Sequence, residues 1–97
     1  MIPSFRDAAT EDLFYGRPTK VARKALPQSL WRKAGVKLDA VDSAGLLEDL
    51  LIPPGNRLEA LEGDRRGQHS IRINSQYRIC FRWTDAGPED VEVVDYH

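Results

Sequence analysis

Little in this chain is suited to holding a metal, closing a disulfide or crossing a membrane. Cys80 is the one cysteine, and His69 and His97 are the two histidines, in 97 residues. A lone cysteine excludes an internal disulfide and fits a reducing compartment. Two histidines and one cysteine cannot build an ordinary zinc site without carboxylate help, so neither a metal nor another cofactor is expected. The Walker loop, GxGxxG, GxSxG and HExxH are all missing, which removes the common nucleotide-binding, hydrolase and zincin signatures. No apolar run approaches transmembrane length, and 30% of the residues are charged, so no membrane association is expected. The start, "MIPSFRDAAT", has neither the basic opening nor the apolar stretch of a secretory signal. Together these absences predict a cytoplasmic protein.

Repeats, low-complexity tracts and linkers are absent too. With 41% hydrophobic residues, residues 1–97 are expected to form a single domain around one modest core. An excess of positive charge is also missing: 14 Lys and Arg stand against 15 Asp and Glu. That sum alone argues weakly against nucleic-acid binding. The distribution tells more. Arg57, Arg65, Arg66, Arg72, Arg78 and Arg82 lie close together with only Glu59, Glu62 and Asp64 among them. From Asp85 onward there are five acids and no Lys or Arg. Such segregation creates local fields that the whole-chain sum hides.

The chain changes character once, near "IPPGN" (52–56). "MIPSF" is expected to form a short edge strand, given Pro3. Thr10 is expected to cap a short helix through "TEDLFY", with Gly16 as its stop. A second helical stretch begins near Thr19, and Pro27 suits the first turn of a third. There Leu30, Ala34, Leu38 and Val41 recur at helical spacing. Leu46, Leu47, Leu50 and Leu51 extend the apolar pattern until Pro53-Pro54 ends it. Four strand candidates follow: "RLEAL", "HSIRI", "YRICFRWT" and "VEVVDYH".

In the third candidate Tyr77, Ile79, Phe81 and Trp83 point one way, and Arg78, Cys80, Arg82 and Thr84 the other. For Ile71 and Ile73 to share the apolar face, the hairpin loop must be Asn74-Ser75-Gln76, with Ile73 opposite Tyr77. A left-handed residue at Gln76 would be unusual in that loop. In this register Arg72 sits across from Arg78, and Arg82 stands on the same face. Like charges side by side are destabilising, so the face reads as a cationic patch suited to an anion. The plainer alternative is that the arginine stems cover the sheet or pair with nearby acids. Cys80 is expected to be a buried, inert thiol. In "VDYH", Asp95 could orient an imidazole, Tyr96 could stack or donate a hydrogen bond, and His97 could carry a proton near neutral pH. A frayed tail with no role is the alternative there.

The combination of "PPGNRLE", "L-x-G-x-R-x-G-x-H-S-I-R", "YRICFRW" and the "VDYH" ending, spread over residues 53–97, resembles the HigB-type toxins of the RelE/ParE superfamily, in particular the GraT-like branch. The resemblance implies an α+β fold, with N-terminal helices on one face of a mainly antiparallel, four- to five-stranded sheet. It also implies a toxin of a type II toxin–antitoxin system, an mRNA endonuclease that works on the ribosome without a metal. A helix-turn-helix antitoxin would neutralise it, and operator DNA would be reached only through that antitoxin. Carried over by position, Arg72, Arg78, Asp95, Tyr96 and His97 would form the catalytic site. Arg65, Arg66, Arg82 and Arg57 would bind message or ribosomal RNA. Where many relatives have a His and a Lys, this chain has Glu59 and Glu62. Two carboxylates repel a phosphate, so a weaker enzyme that leans on the ribosome is expected. Two other readings stay open: a non-catalytic member that binds a protein target, and one that serves mainly as an antitoxin-bound co-repressor.

Overall fold

Asp7, not Thr10, opens the first helix. In the computed structural model, which describes residues 1–96, the Asp7 carboxylate accepts the Thr10 backbone N–H at 2.8 Å and caps α1 (Ala8–Tyr15). This satisfies one of the N–H groups left unpaired at a helix start. Thr10 is buried instead, and its hydroxyl accepts the Val93 N–H of the sheet at 2.9 Å. Both residue types suit a cap, and the long-range contact decides between them. Gly16 ends α1 as expected, in the left-handed region with φ +72° that glycine tolerates best.

Thr19 caps α2 (Lys20–Ala25) by accepting the Ala22 N–H. The chain is extended at Leu26, and a 3-10 turn (Gln28–Leu30) then leads into α3 (Trp31–Ser43). Pro27 therefore precedes the third helix rather than sitting in its first turn. The Trp31 indole N–H donates to the Leu26 carbonyl at 2.8 Å and ties the two helices together. Ala34, Leu38 and Val41 are fully buried, as their spacing predicts. The leucine-rich continuation is narrower than expected. It forms a 3-10 segment (Leu47–Leu51) in which Leu50 enters the core while Leu46 and Leu51 face solvent.

The sheet runs β1 (Glu59–Ala60), β2 (His69–Arg72), β3 (Tyr77–Thr84) and β4 (Gly87–Asp95), all antiparallel and in sequence order. The α+β expectation is met, with four strands. "MIPSF" contributes a single parallel bridge, Phe5 to Val91, fixed by Val91 N–H to Ser4 O and Arg6 N–H to Val91 O. That bridge covers part of the β4 edge, which would otherwise present unpaired backbone groups.

The β2–β3 register pairs His69 with Phe81, Ser70 with Cys80, Ile71 with Ile79 and Arg72 with Arg78. Ile73 N–H donates to Tyr77 O at 2.9 Å, so the loop is Asn74-Ser75-Gln76. Gln76 does not adopt the left-handed conformation. The Asn74 side-chain oxygen accepts both the Gln76 and Tyr77 N–H groups, at 2.9 and 2.8 Å, and closes the turn itself. Ile71, Ile73, Tyr77, Ile79 and Phe81 pack in one cluster with Leu13, Leu26, Leu38 and Val41 of the helical layer. The other face carries Ser70, Arg72, Arg78, Cys80 and Arg82. A register shift between Cys80 and Arg82 marks a bulge in β4, where Asp90 has φ +53°. Among the described residues no helix is long and apolar enough to cross a membrane.

Candidate functional site

On the open face the strands line up their side chains in rows. One row runs Glu59, Ser70, Cys80, Glu92 from β1 to β4; the next runs Arg72, Arg78, Val94. Arg78 leans back onto the first row. Its Nε donates to Ser70 Oγ at 2.7 Å, and its Nη2 donates to the Arg57 carbonyl at 2.6 Å and stands 3.0 Å from Glu59 Oε1. With so many fixed partners the guanidinium is 8% exposed and held in one orientation. A buried charge is tolerated only when it is paired and hydrogen-bonded in this way. Glu59 itself is largely exposed, at the rim.

Tyr96 follows β4 on the same face. Its N–H donates to the Gln76 carbonyl at 2.7 Å, which continues the ladder beyond Asp95. The ring lies 5.8 Å from the Arg78 guanidinium carbon, within range of a cation–π contact. Asp95 is in register with Tyr77, on the opposite face by alternation, and its carboxylate accepts the Gln76 side-chain amide at 3.2 Å. His97 lies outside the described residues.

Arg65 covers the far side of the row. Its guanidinium bonds Glu92 at 3.1 Å and Gln68 at 3.2 Å. Burial opposes its charge, yet the hydrogen bond to Glu92, together with the fields of Cys80, Glu92 and Tyr96, holds its pKa above the ordinary value. Beneath it Cys80 is completely buried. Burial pushes the thiol pKa up, against the pull of the Arg65 charge. An un-ionised buried thiol is a poor nucleophile, as expected. Arg82 is exposed, with Nε 4.0 Å from Asp90, and its guanidinium passes over Gly67, where an added Cβ would lie 3.0 Å from it. Arg66 is exposed.

Arg72 takes a different direction from its partner in register. Its Nε donates to the Asn74 carbonyl at 3.0 Å, and it lines a cavity of about 460 Å³ shared with Lys33, Lys37 and Arg57. Arg57 has φ +48°, unusual for a non-glycine, and so its carbonyl serves Arg78 while its side chain lines the cavity. The structure thus joins Arg78 and Tyr96 at one point and Arg72 and Arg57 at another, with the Arg57 backbone between them. Ser70 and Glu59 are the two site residues whose roles the sequence did not reveal. Ser70 meets Arg78 across the β2–β3 pairing, on the polar face that alternation predicts; Glu59 is brought there only by the pairing of β1 with β2, and a two-residue strand gives almost no signal. Among the described residues no group of three or more His, Cys, Asp or Glu is placed to hold a metal.

An antiparallel sheet with helices on one face and a charged, partly buried face on the other defines the class. Residues 3–97 match the RelE-like toxin of type II toxin-antitoxin system HigB, and the chain belongs to that family, the HigB-type toxins of the RelE superfamily. Over 62 residues it is 47% identical to Toxin HigB-1 of Vibrio cholerae serotype O1, a match covering 64% of this chain and 65% of the relative. Over 58 residues it is 36% identical to an uncharacterized protein of Haemophilus influenzae, covering 60% of this chain and 57% of that one. The matches thus span a little under two thirds of these curated relatives. The fold is similar to that in a YoeB-YefM complex from Staphylococcus aureus, with TM-score 0.60 and 23% identity over 100% of this chain and 95% of that one.

Proposed function

We propose that this toxin is a metal-independent endoribonuclease that cuts messenger RNA on the ribosome, acts in the cytoplasm, and is neutralised by a helix-turn-helix antitoxin through which it reaches operator DNA. The observation that carries this reading is the Arg78 guanidinium, oriented by Ser70 and the Arg57 carbonyl and set 5.8 Å from the Tyr96 ring. Metal-free RNA cleavage needs a deprotonated 2′-OH, stabilisation of the phosphorane charge and protonation of the leaving 5′-oxygen. A fixed guanidinium suits the second task, because it requires no reorganisation when the charge develops. Tyr96 offers a ring for a base to stack on, and Arg72 with Arg57 offers charge to neighbouring phosphates. In this proposal His97 transfers the proton and Asp95 supports it, while Arg65, Arg66 and Arg82 bind RNA at the periphery.

Glu59 modifies this picture. Its carboxylate stands 3.0 Å from Arg78 Nη2, so an incoming phosphate meets it as a competitor for the guanidinium. Because Glu59 is at the exposed rim, its carboxylate can return to water at small cost. The outcome is an enzyme with a self-supplied competitor, slow on free RNA and dependent on the ribosome to present its substrate. The partner proposal also has support in the fold, since the similar Staphylococcus aureus structure is described as a heterotetrameric toxin-antitoxin complex.

The same ion pair favours a second reading, in which Arg78 is permanently neutralised and the chain acts as an antitoxin-bound co-repressor or a ligand of a protein target. One experiment separates the two. Purified chain added to a translating extract should shorten a defined message, leave that message intact without ribosomes, and leave plasmid supercoiling unchanged. Intact message in the translating extract would overturn the nuclease reading.

A further inference from the structure

The cavity beside the Arg78 site gathers positive charge with nothing to balance it. Lys33 and Lys37 stand one turn apart on α3, and Arg57 and Arg72 reach the same space from the loop before β1 and from the end of β2. Among the described residues no carboxylate lines the cavity. None of these four cations forms an ion pair among the described residues. Like charges at i and i+4 are destabilising on a helix, and burial together with the Lys33 charge lowers the Lys37 pKa. The fold nevertheless holds these groups in place. Lys37 donates to the side-chain oxygen of buried Asn56, whose amide donates to the Leu50 and Ile52 carbonyls. The Arg72 Nε is fixed on the Asn74 carbonyl, which leaves both Nη groups without a protein partner among the described residues.

We propose that this cavity is a second phosphate subsite for RNA, in which Lys33, Lys37, Arg57 and Arg72 bind a backbone phosphate, of message or of ribosomal RNA, beside the Arg78 site. The proposal deepens the nuclease reading and rests on it for the identity of the ligand. Continuity supports it: Arg57 gives its carbonyl to Arg78 and its side chain to the cavity, and Arg72 is the register partner of Arg78. A phosphodiester fits better than a protein segment. The cavity holds about 460 Å³ and is lined by four cationic side chains; Ile73, the one aliphatic side chain among the described residues that line it, is 1% exposed and offers no apolar anchor. A stable protein interface needs a larger area with apolar anchors.

The test uses the full chain and three probes: an unstructured RNA oligonucleotide made uncleavable by 2′-O-methylation, small ribosomal subunits free of message, and an acidic peptide. Binding is followed over a range of salt. Lys33→Gln is the first variant, because Lys33 makes no hydrogen bond or ion pair that its loss would break. Lys33→Gln/Lys37→Gln follows, with Lys37→Arg checking that charge rather than the Asn56 contact matters. Lys24→Gln on α2, away from the cavity, reports the effect of net charge alone. Each phosphate contact on a single strand contributes a salt slope of about 0.7, so each lysine lost should weaken binding roughly fourfold at 0.15 M salt and flatten the slope by that amount. Lys24→Gln and Lys37→Arg should bind like the parent.

Weakening toward the oligonucleotide assigns the subsite to message, and weakening toward subunits alone assigns it to ribosomal RNA; both support the proposal. It is overturned if the Lys33 variants bind oligonucleotide and subunits like the parent, if Lys24→Gln weakens binding as much, if the parent binds neither oligonucleotide nor subunits, or if only the acidic peptide responds to the substitutions. Lysine-dependent RNA binding by a chain that never cuts message would remove the nuclease reading and leave the subsite. Cutting with lysine-independent binding would do the reverse.

Discussion

On the helix side of the β2–β3 hairpin, Ile71, Ile79 and Phe81 are fully buried in one cluster with Leu38 and Val41 of α3. On the opposite side Ser70, Cys80 and Arg78 are buried almost as completely. The first burial is apolar and non-directional, and many shapes of hydrophobic side chain could satisfy it. The second depends on particular polar pairings: Arg78 with Ser70, Glu59 and the Arg57 carbonyl, and Arg65 with Glu92. The apolar face supplies stability, and in the proposed function the polar face gives up some of it to hold a guanidinium ready for an anion.

The contrast can be broken from either side. Phe81→Ala should remove about 3–5 kcal/mol of stability and show as a large drop in the denaturant midpoint. Ser70→Ala should cost less, about 1–3 kcal/mol, because it leaves the Arg78 Nε–H without its hydroxyl partner, and it should lower cleavage as the guanidinium loosens. A denaturation curve beside a cleavage assay checks both effects. Asn74→Ala removes the side-chain oxygen that closes the hairpin and should cost about 0.5–1.5 kcal/mol while disturbing Arg72 more than Arg78, visible as weaker RNA binding.

The smallest effect concerns pH. The Cys80 thiol is raised in the fold, so the unfolded chain loses its proton first as pH rises. The stabilisation from the neutral buried thiol is complete below the ordinary thiol pKa and is lost as pH climbs toward the folded value. Cys80→Ala should therefore flatten part of the alkaline loss of stability, measured by thermal melts between neutral and strongly alkaline pH. Native Cys80 should also resist alkylation at a pH where the unfolded chain reacts.

The contrast also explains how much could be read in advance. Alternation in "YRICFRWT" revealed the buried face, and parity with Ile71 and Ile73 then set the hairpin loop and the Arg72–Arg78 register, because a one-residue slip would expose every apolar side chain. Helix stops at Gly16 and the stripe from Ala34 to Val41 were legible for similar reasons. A local rule failed where a distant contact chose: Thr10 is a plausible cap but is taken by Val93. The loop at Gln76 is closed by a contact within the turn itself, from the Asn74 side chain. The site was half legible. Arg72, Arg78 and Tyr96 stand out by pattern and resemblance, and Glu59 is legible as a carboxylate among arginines, though not as the partner of Arg78 in particular. Its pairing with Arg78 depends on the short β1–β2 ladder, and the meeting of Lys33 and Lys37 with Arg57 joins segments about twenty residues apart in the chain. Neither leaves a periodic trace.

In the proposed function Arg78 acts directly on the scissile phosphate and Glu59 competes for it. The most direct measurement is the rate of message cleavage in a translating extract by the parent, Arg78→Ala and Glu59→Gln, each first shown to be folded. The account predicts that Arg78→Ala loses on the order of 10²–10³ in rate, as removal of one preorganised charge-stabilising donor does, and that Glu59→Gln cuts faster than the parent. A folded Arg78→Ala that cuts at the parental rate, or a Glu59→Gln that is as impaired as Arg78→Ala, would contradict it.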